Sequence, residues 1–236
     1  MSFLNSAGLF DAIPDTGDYQ WWIDAGSGST LDANLGNVTA STVNSPSWTG
    51  SGFSGDSLQH DGVNQYWVTD TSLDVTTSTL CGWIKPEEYT NRGQFAAWGN
   101  GVLNGGKNGY FVAGAGDGVA ALEMITGNGS SRSTEIQSVN FVPTGEWGFF
   151  AAIIDSSGNV RLITYSKTQE LGDSGSVSMA EPPNESNPIY GGGHPDDDHA
   201  QCETTFFAAK AGATLSKTQI DELWNATKDF STGGGV

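Results

Sequence analysis

The chain has 236 residues, with 27 Asp and Glu against 9 Lys and Arg, a formal charge of −18 and a pI of about 4.1. That length suits one large domain or at most two small ones, and so few cations exclude nucleic-acid phosphate as a main partner, since binding it means neutralising phosphates with Lys and Arg; an anionic membrane surface is disfavoured for the same reason. Aromatic residues at 11%, eight Trp among them, speak against disorder, because such rings need a core or an interface.

The N-terminal stretch MSFLNSAGLFDAIPD has neither a basic region nor an apolar run long enough for a signal peptide. Residues 1–12 read as an arm, 13–230 as one domain and 231–236, ending in Gly233–Gly235, as a frayed tail. Short apolar segments separated by Gly, Asn, Ser and Asp clusters predict strands at Tyr19–Ile23, Ser57–His60, Gln65–Val68, Thr79–Lys85, Gln94–Trp98, Tyr110–Ala113, Ala120–Thr126, Thr134–Ser138, Trp147–Ile154, Asn159–Tyr165 and Glu203–Lys210. Trp147–Ile154 is apolar on both alternating faces, so it belongs in the middle of a sheet covered on both sides. The Asp155-Ser-Ser-Gly-Asn159 segment then turns a hairpin into the next strand. The longest unbroken apolar run is Phe149 to Ile154, far below the roughly 18–20 residues of a spanning helix. One helix is signalled near the C-terminus. Ser216-Lys-Thr-Gln219 is a capping box, Leu215 and Ile220 form a hydrophobic staple, and Ile220, Leu223 and Trp224 share a face. The fold class is all-β, a two-sheet antiparallel sandwich with one amphipathic helix packed on it.

In this order the segments resemble the concanavalin A-like jelly roll, in its laminin-G-like, pentraxin-related branch. Tyr19-Gln-Trp-Trp22 through Gly26-Ser-Gly28 and Leu31-Asp-Ala-Asn-Leu-Gly36 look like the family's opening strand and turn. Ser57-Leu-Gln-His-Asp-Gly62 with Gln65-Tyr-Trp-Val68, and Leu80-Cys-Gly-Trp-Ile-Lys-Pro86, are similar to its F-D-G…Y-V and W-V-K-P elements. Gly145-Glu-Trp147 through Tyr165 looks like the central hairpin, and Thr214-Leu-Ser216 through Trp224 resembles the closing helix. The resemblance spans roughly residues 13–227 and implies the jelly-roll fold; it says little of function, because this fold carries lectins, adhesion modules, enzymes and spacers. The last strand departs from the family pattern, reading Cys202-Glu-Thr-Thr-Phe-Phe-Ala-Ala-Lys210, so a family calcium site does not carry over residue by residue. The resemblance also sets the Trp83 strand beside the last one, which would bring Cys81 and Cys202 onto neighbouring strands; a disulfide between them needs Cα atoms within about 7 Å and is left open.

Chemistry is sparse. Glycoside hydrolysis needs two facing carboxylates, and no strand carries acids at alternate positions; Glu87 and Glu88 follow Pro86 in a loop. Gly172-Asp-Ser-Gly-Ser176 is like a serine-protease nucleophile segment, but neither His60, His194 nor His199 has matching surroundings, so Ser174 reads as a turn residue. Gly191-Gly-Gly-His-Pro-Asp-Asp-Asp-His-Ala200 is the most unusual stretch. It reads either as a solvated acidic loop or as a calcium site using Asp196 and Asp198. Trp98, with Asn100 and Tyr110 nearby, is a candidate sugar platform in a loop-rich setting. Trp67, Trp83 and Trp147 read as core.

The composition suggests adaptation to concentrated salt, where screening lets dispersed carboxylates keep a surface hydrated. Without a catalytic constellation the chain is expected to bind, not to catalyse. The expected setting is the surface of a halophilic virion, as a head decoration, turret or tail-fibre protein made in the host cytoplasm. There it would contact other virion proteins, further copies of itself and host glycans, with no membrane insertion. The alternative is an extracellular or cellular glycan-binding module of a halophile.

Overall fold

A computed structural model of the chain describes residues 21–24, 32–33, 38–50, 52, 57–90, 92–100, 108–128, 132–180, 182–195 and 199–229. The expected arm at 1–12 and tail at 231–236 lie outside the described residues. In chain order the strands are β1 (Trp21–Asp24), β2 (Asp32–Ala33), β3 (Ala40–Val43), β4 (Ser47–Thr49), β5 (Ser57–Asp61), β6 (Tyr66–Thr69), β7 (Leu73–Asp74), β8 (Ser78–Pro86), β9 (Gln94–Asn100) and β10 (Asn108–Gly114). They continue with β11 (Ala121–Asn128), β12 (Arg132–Asn140), β13 (Gly148–Ile154), β14 (Asn159–Tyr165), β15 (Glu170–Asp173), β16 (Val177–Ser178), β17 (Ser186–Asn187), β18 (Ile189–Gly191) and β19 (Gln201–Ala211); the helix α1 (Lys217–Thr227) follows. Each of the eleven expected strands is present in the expected order.

Two antiparallel sheets face each other. The ten-stranded sheet runs β15-β14-β13-β8-β19-β1-β2, with β16 beside β14 and β5 beside β19 and β4. The seven-stranded sheet runs β12-β11-β10-β9-β18-β6-β3, and β7 and β17 make a small ribbon. Between the sheets Leu58, Trp67, Leu80, Ile84, Trp98, Tyr110, Val112, Phe150 and Phe207 form one apolar core. A second core lies on the outer face of the ten-stranded sheet, where Trp83, Phe149, Ala151, Tyr165 and Phe206 meet Leu215, Ile220, Leu223 and Trp224 of the helix region. β13 is buried along its whole length because it sits between β14 and β8 and is covered on both faces. Phe150, Ala152 and Ile154 point into the sandwich; Phe149, Ala151 and Ile153 point under the helix. Each buried Phe or Ile contributes roughly 1.5–3 kcal/mol. Among the described residues no helix is long and apolar enough to cross a membrane.

The helix begins where its capping box predicts. The Ser216 hydroxyl accepts from Gln219 N, and Ser216 N donates back to Gln219 Oε1 at 2.9 Å. Polar ends of aromatic side chains tie it down: Trp83 Nε1 donates to Thr227 Oγ1 at 2.9 Å, and Trp224 Nε1 to the Ser166 carbonyl at 2.9 Å. Opposite, β19 carries a bulge. Thr205 pairs with Trp83 and Phe207 with Gly82, which leaves Phe206 as an extra residue at φ 30°. Gly82 is needed there, since a methyl on it would come within 2.9 Å of the Phe207 ring.

β8 and β19 do bring Cys81 and Cys202 onto neighbouring strands, but the disulfide left open by the sequence does not form. Cys81 pairs with Ala208 and Cys202 with Pro86. At about 3.3 Å per residue the stretch from 202 to 208 separates them by about 20 Å. Cys81 also belongs to the core under the helix and Cys202 to the sandwich interior. Both are buried free thiols.

Candidate functional site

The sheet register assembles a polar and aromatic cluster on the outer face of the seven-stranded sheet. Inward residues of that sheet, such as Trp67, Trp98, Tyr110 and Met124, fill the sandwich. Their alternates face outward and form one rung across five strands: Val68 pairs with Tyr190, Tyr190 with Ala97, Ala97 with Phe111 and Phe111 with Ile125. The next rung sets Gln94 opposite Ala113 and Ala113 opposite Glu123, after a bulge in the β9–β10 pairing. Tyr66, two residues before Val68, stands on the same face.

From the end of β18 the chain passes from rings inside the sandwich to His199 on this surface, and glycine is what lets it approach them. Gly191, Gly192 and Gly193 pass over Trp67, His60 and His199, and a methyl on any of the three would overlap the ring beneath. Gly192 has φ +79° and Gly193 φ +154°, both in the region that favours glycine. His194 is 1% exposed and makes edge contacts with Tyr190 at 4.5 Å and Phe111 at 6.1 Å between ring centres. His199 stacks on Tyr66 at 5.9 Å, and its backbone bridges to Gln94. The two histidines thus anchor the two sides of the segment that in sequence carries Asp196, Asp197 and Asp198.

Two buried side chains near this segment have hydrogen-bonding capacity that the described residues do not use, Gln94 on the outer face and His60 on the inward face of β5. The Gln94 amide is fully buried, and neither its Oε1 nor its Nε2 hydrogen-bonds to a described group. His60 is also fully buried. Its Nε2 shares a 2.9 Å hydrogen bond with Thr204 Oγ1, which also accepts from Trp67 Nε1 at 3.3 Å, while its Nδ1 is unmatched. Burial lowers the His60 pKa to about 4, and His199 nearby pushes the same way, against the Gln65 backbone and Asp61. The imidazole is therefore neutral at pH 7. Beside it the β5–β6 turn is held by the Asp61 carboxylate, which accepts from Val63 N at 2.9 Å and Asn64 N at 3.2 Å. Slight burial raises the Asp61 pKa, but those backbone hydrogen bonds outweigh it and the net shift is downward.

The sequence-predicted residues fall differently. Trp98 and Tyr110 are not a surface platform: both are 0% exposed inside the sandwich, with Trp98 Nε1 donating to the Leu73 carbonyl. Asn100 ends β9 opposite Asn108, and its side chain lies outside the described residues. Asp196 and Asp198, the calcium candidates, also lie outside them. Among the described residues no group of three or more His, Cys, Asp and Glu could hold a metal ion. Trp67, Trp83 and Trp147 are buried. Ser174 is a turn residue whose hydroxyl accepts from Leu162 N at 2.9 Å and donates to the Gly175 carbonyl. Tyr66, Gln94, Phe111 and Glu123 escaped the sequence reading. Their only signal was alternation with Trp67, Phe95, Val112 and Met124, and it does not tell inside from outside when both faces carry large side chains.

Residues 60–209 match the family model Laminin_G_3, described as the concanavalin A-like lectin/glucanases superfamily. No curated protein matches the chain. Among solved structures, the chain is similar to the binding domain of botulinum neurotoxin DC in complex with SialylT, with TM-score 0.60 and 14% identity over 89% of this chain and 51% of that one. The binding domain of Paraclostridial Mosquitocidal Protein 1 gives TM-score 0.63 and 12% identity over 89% and 52%. Domain 4 of AbnA, an extracellular arabinanase from Geobacillus stearothermophilus solved with arabinotriose, gives TM-score 0.62 and 14% identity over 87% and 98%. The chain spans about half the length of the toxin domains it matches. Likeness at these identities is one of fold.

Proposed function

From the premise that the chain belongs to the concanavalin A-like lectin/glucanase superfamily, we propose that it is a non-catalytic carbohydrate-binding module whose site is the outer face of the seven-stranded sheet, between Tyr66, Tyr190, His194, His199 and Gln94. The observation that carries this is the Gln94 amide. More than nine in ten buried polar groups in folded proteins are matched, and the amide unmatched in the described fold is where we place the polar groups of a ligand. Rings beside it supply the flat apolar surface that a sugar face needs. The AbnA domain, solved with arabinotriose, and the neurotoxin domain, solved with SialylT, support a saccharide as the ligand class.

Binding is favoured over hydrolysis because a glycosidase needs a carboxylate pair roughly 5–9.5 Å apart. Glu123 is the carboxylate that the strand register sets on this face. The setting we propose is a halophilic virion or cell surface, where the module works in repeated copies beside structural neighbours; the charge of −18 supports it. Calcium at Asp196 and Asp198 remains part of that proposal, as carboxylates in the segment anchored by His194 and His199.

A glycan array probed in molar salt tests the reading. Wild type should bind a defined set of glycans, and Tyr66→Ala should lose them while keeping its melting temperature within a few degrees. Equal binding by the variant would move the site elsewhere, and polysaccharide cleavage abolished in Glu123→Gln would replace the binding reading with an enzymatic one.

A further inference from the structure

The sequence carries four Asn-x-Ser/Thr triplets, beginning at Asn37, Asn128, Asn184 and Asn225. Such a triplet accepts an N-linked glycan where it lies on a surface loop of an exported chain. Asn37 and Ser130 lie outside the described residues. The fold treats the other two triplets differently, and we propose that Asn184 is a glycosylation site and Asn225 is not. The modification is independent of the ligand bound on the outer face. It rests on the cell-surface setting, since the chain must cross a membrane to receive the glycan.

Asn225 is committed to its helix. It stands in the last turn of α1, where its Nδ2 donates to the Asp221 carbonyl at 2.9 Å and its Oδ1 accepts from Lys228 Nζ at 2.8 Å. The hydroxyl of its triplet is buried: Thr227 Oγ1 donates to the Leu223 carbonyl and accepts from Trp83 Nε1, both at 2.9 Å. An enzyme would reach this triplet only by unwinding the end of α1, against the packing of Leu223 and Trp224 on the sheet.

Asn184 differs on each count. Asn184 and Ser186 are exposed, and Pro182, Pro183 and Pro188 flank them, which keeps the stretch out of any helix or long strand. Asn108, 4% exposed at the start of β10, holds the Asn184 amide in one orientation. The Asn184 backbone N donates to Asn108 Oδ1 at 2.9 Å, so Nδ2 occupies the other end of the Asn108 amide. That nitrogen donates to Asn184 Oδ1. The Asn184 oxygen is thus engaged. Its Nδ2, the atom that carries a glycan, makes no hydrogen bond among the described residues. Asn187 Nδ2 donates to the Asn108 carbonyl at 3.0 Å and fixes the arrangement from the other side of the triplet.

The donor is an oligosaccharide joined to a lipid phosphate. Transfer breaks its anomeric C–O bond, and the lipid phosphate leaves with the bonding pair. A C–N bond forms to Asn184 Nδ2, which gives up one of its two protons. The amide oxygen stays in place, so the hydrogen bond from Asn108 survives the transfer. A glycan here stands at the Asn108 end of β10, roughly 17 Å of strand from Ala113, the partner of Gln94. It hydrates one end of the seven-stranded sheet and stays clear of the cluster around Gln94 at the other.

The test is intact-mass and peptide mass spectrometry of the protein isolated from the organism that makes it. Its mass should exceed the 24.7 kDa of the sequence by whole sugar residues, with a glycan on Asn184 and none on Asn225. Ser186→Ala, expressed in the same organism, should lose the Asn184 glycan while keeping the Asn184–Asn108 hydrogen bonds, and Ser186→Thr should retain it. A bare Asn184 in the wild-type protein, a glycan that persists there in Ser186→Ala, or modification of Asn225 overturns the proposal. Mass reads the modification alone, so each of these results leaves saccharide binding on the outer face to its own array.

Discussion

Gly192 packs so closely on His60 that a methyl group on it would occupy the space of the imidazole ring. Gly192 also has φ +79°. Gly192→Ala therefore combines an unfavourable backbone with overpacking, and should destabilise the fold by about 2–4 kcal/mol. Urea unfolding measures it, and a loss under about 0.5 kcal/mol would show that the segment adjusts freely.

His60 makes stability depend on pH. Its pKa is about 4 when folded, against an ordinary 6.5. Between those values the unfolded chain binds the extra proton, so the stability contributed by the neutral ring is full above about pH 6.5 and is lost as the pH falls toward 4. The whole span amounts to about 3 kcal/mol. His60→Asn should flatten that part of the profile in unfolding curves taken from pH 7 to 4. An unchanged slope would mean that His60 titrates normally.

Burial pushes both thiols far above their usual pKa. Thiol titration should find no reactive cysteine in the folded protein and two per chain once it is unfolded. Fewer than two after unfolding without reductant would mean that a bond forms despite the register.

Salt should stabilise the fold. With −18 formal charges, self-repulsion is strong in dilute buffer and screened at molar salt. The melting temperature should rise by at least about 5 °C between about 0.1 and 3 M NaCl. A flat or falling curve would remove the main support for a hypersaline setting.

Much of this fold is legible from residue patterns. The long strands, the twice-covered Gly148–Ile154 and the box at Ser216 and Gln219 are all local signals that the packing respects. What stayed hidden has a physical cause in each case. β7, β16, β17 and β18 are two or three residues long and exist only because a partner strand pairs with them. Trp98 sits among Gly and Asn, which suggests a loop, yet β9 carries it into the interior. The glycines and histidines of the 191–200 segment seat it only through rings that distant strands supply, His60, Tyr66 and Tyr190 among them, which local pattern does not show. Alternation in β19 breaks at Phe206, so Thr204 and Phe207 face the same interior although their numbers differ in parity.

That bulge also has a mechanical consequence. Phe206 belongs to the core beneath the helix, and Phe207, the next residue, belongs to the core between the sheets. The two apolar compartments are joined through one strand at adjacent positions, so neither can loosen without drawing on the other. Helix and sandwich should therefore open as one cooperative unit, and slow-exchanging amides in α1 and in β10 should share a single free energy of opening.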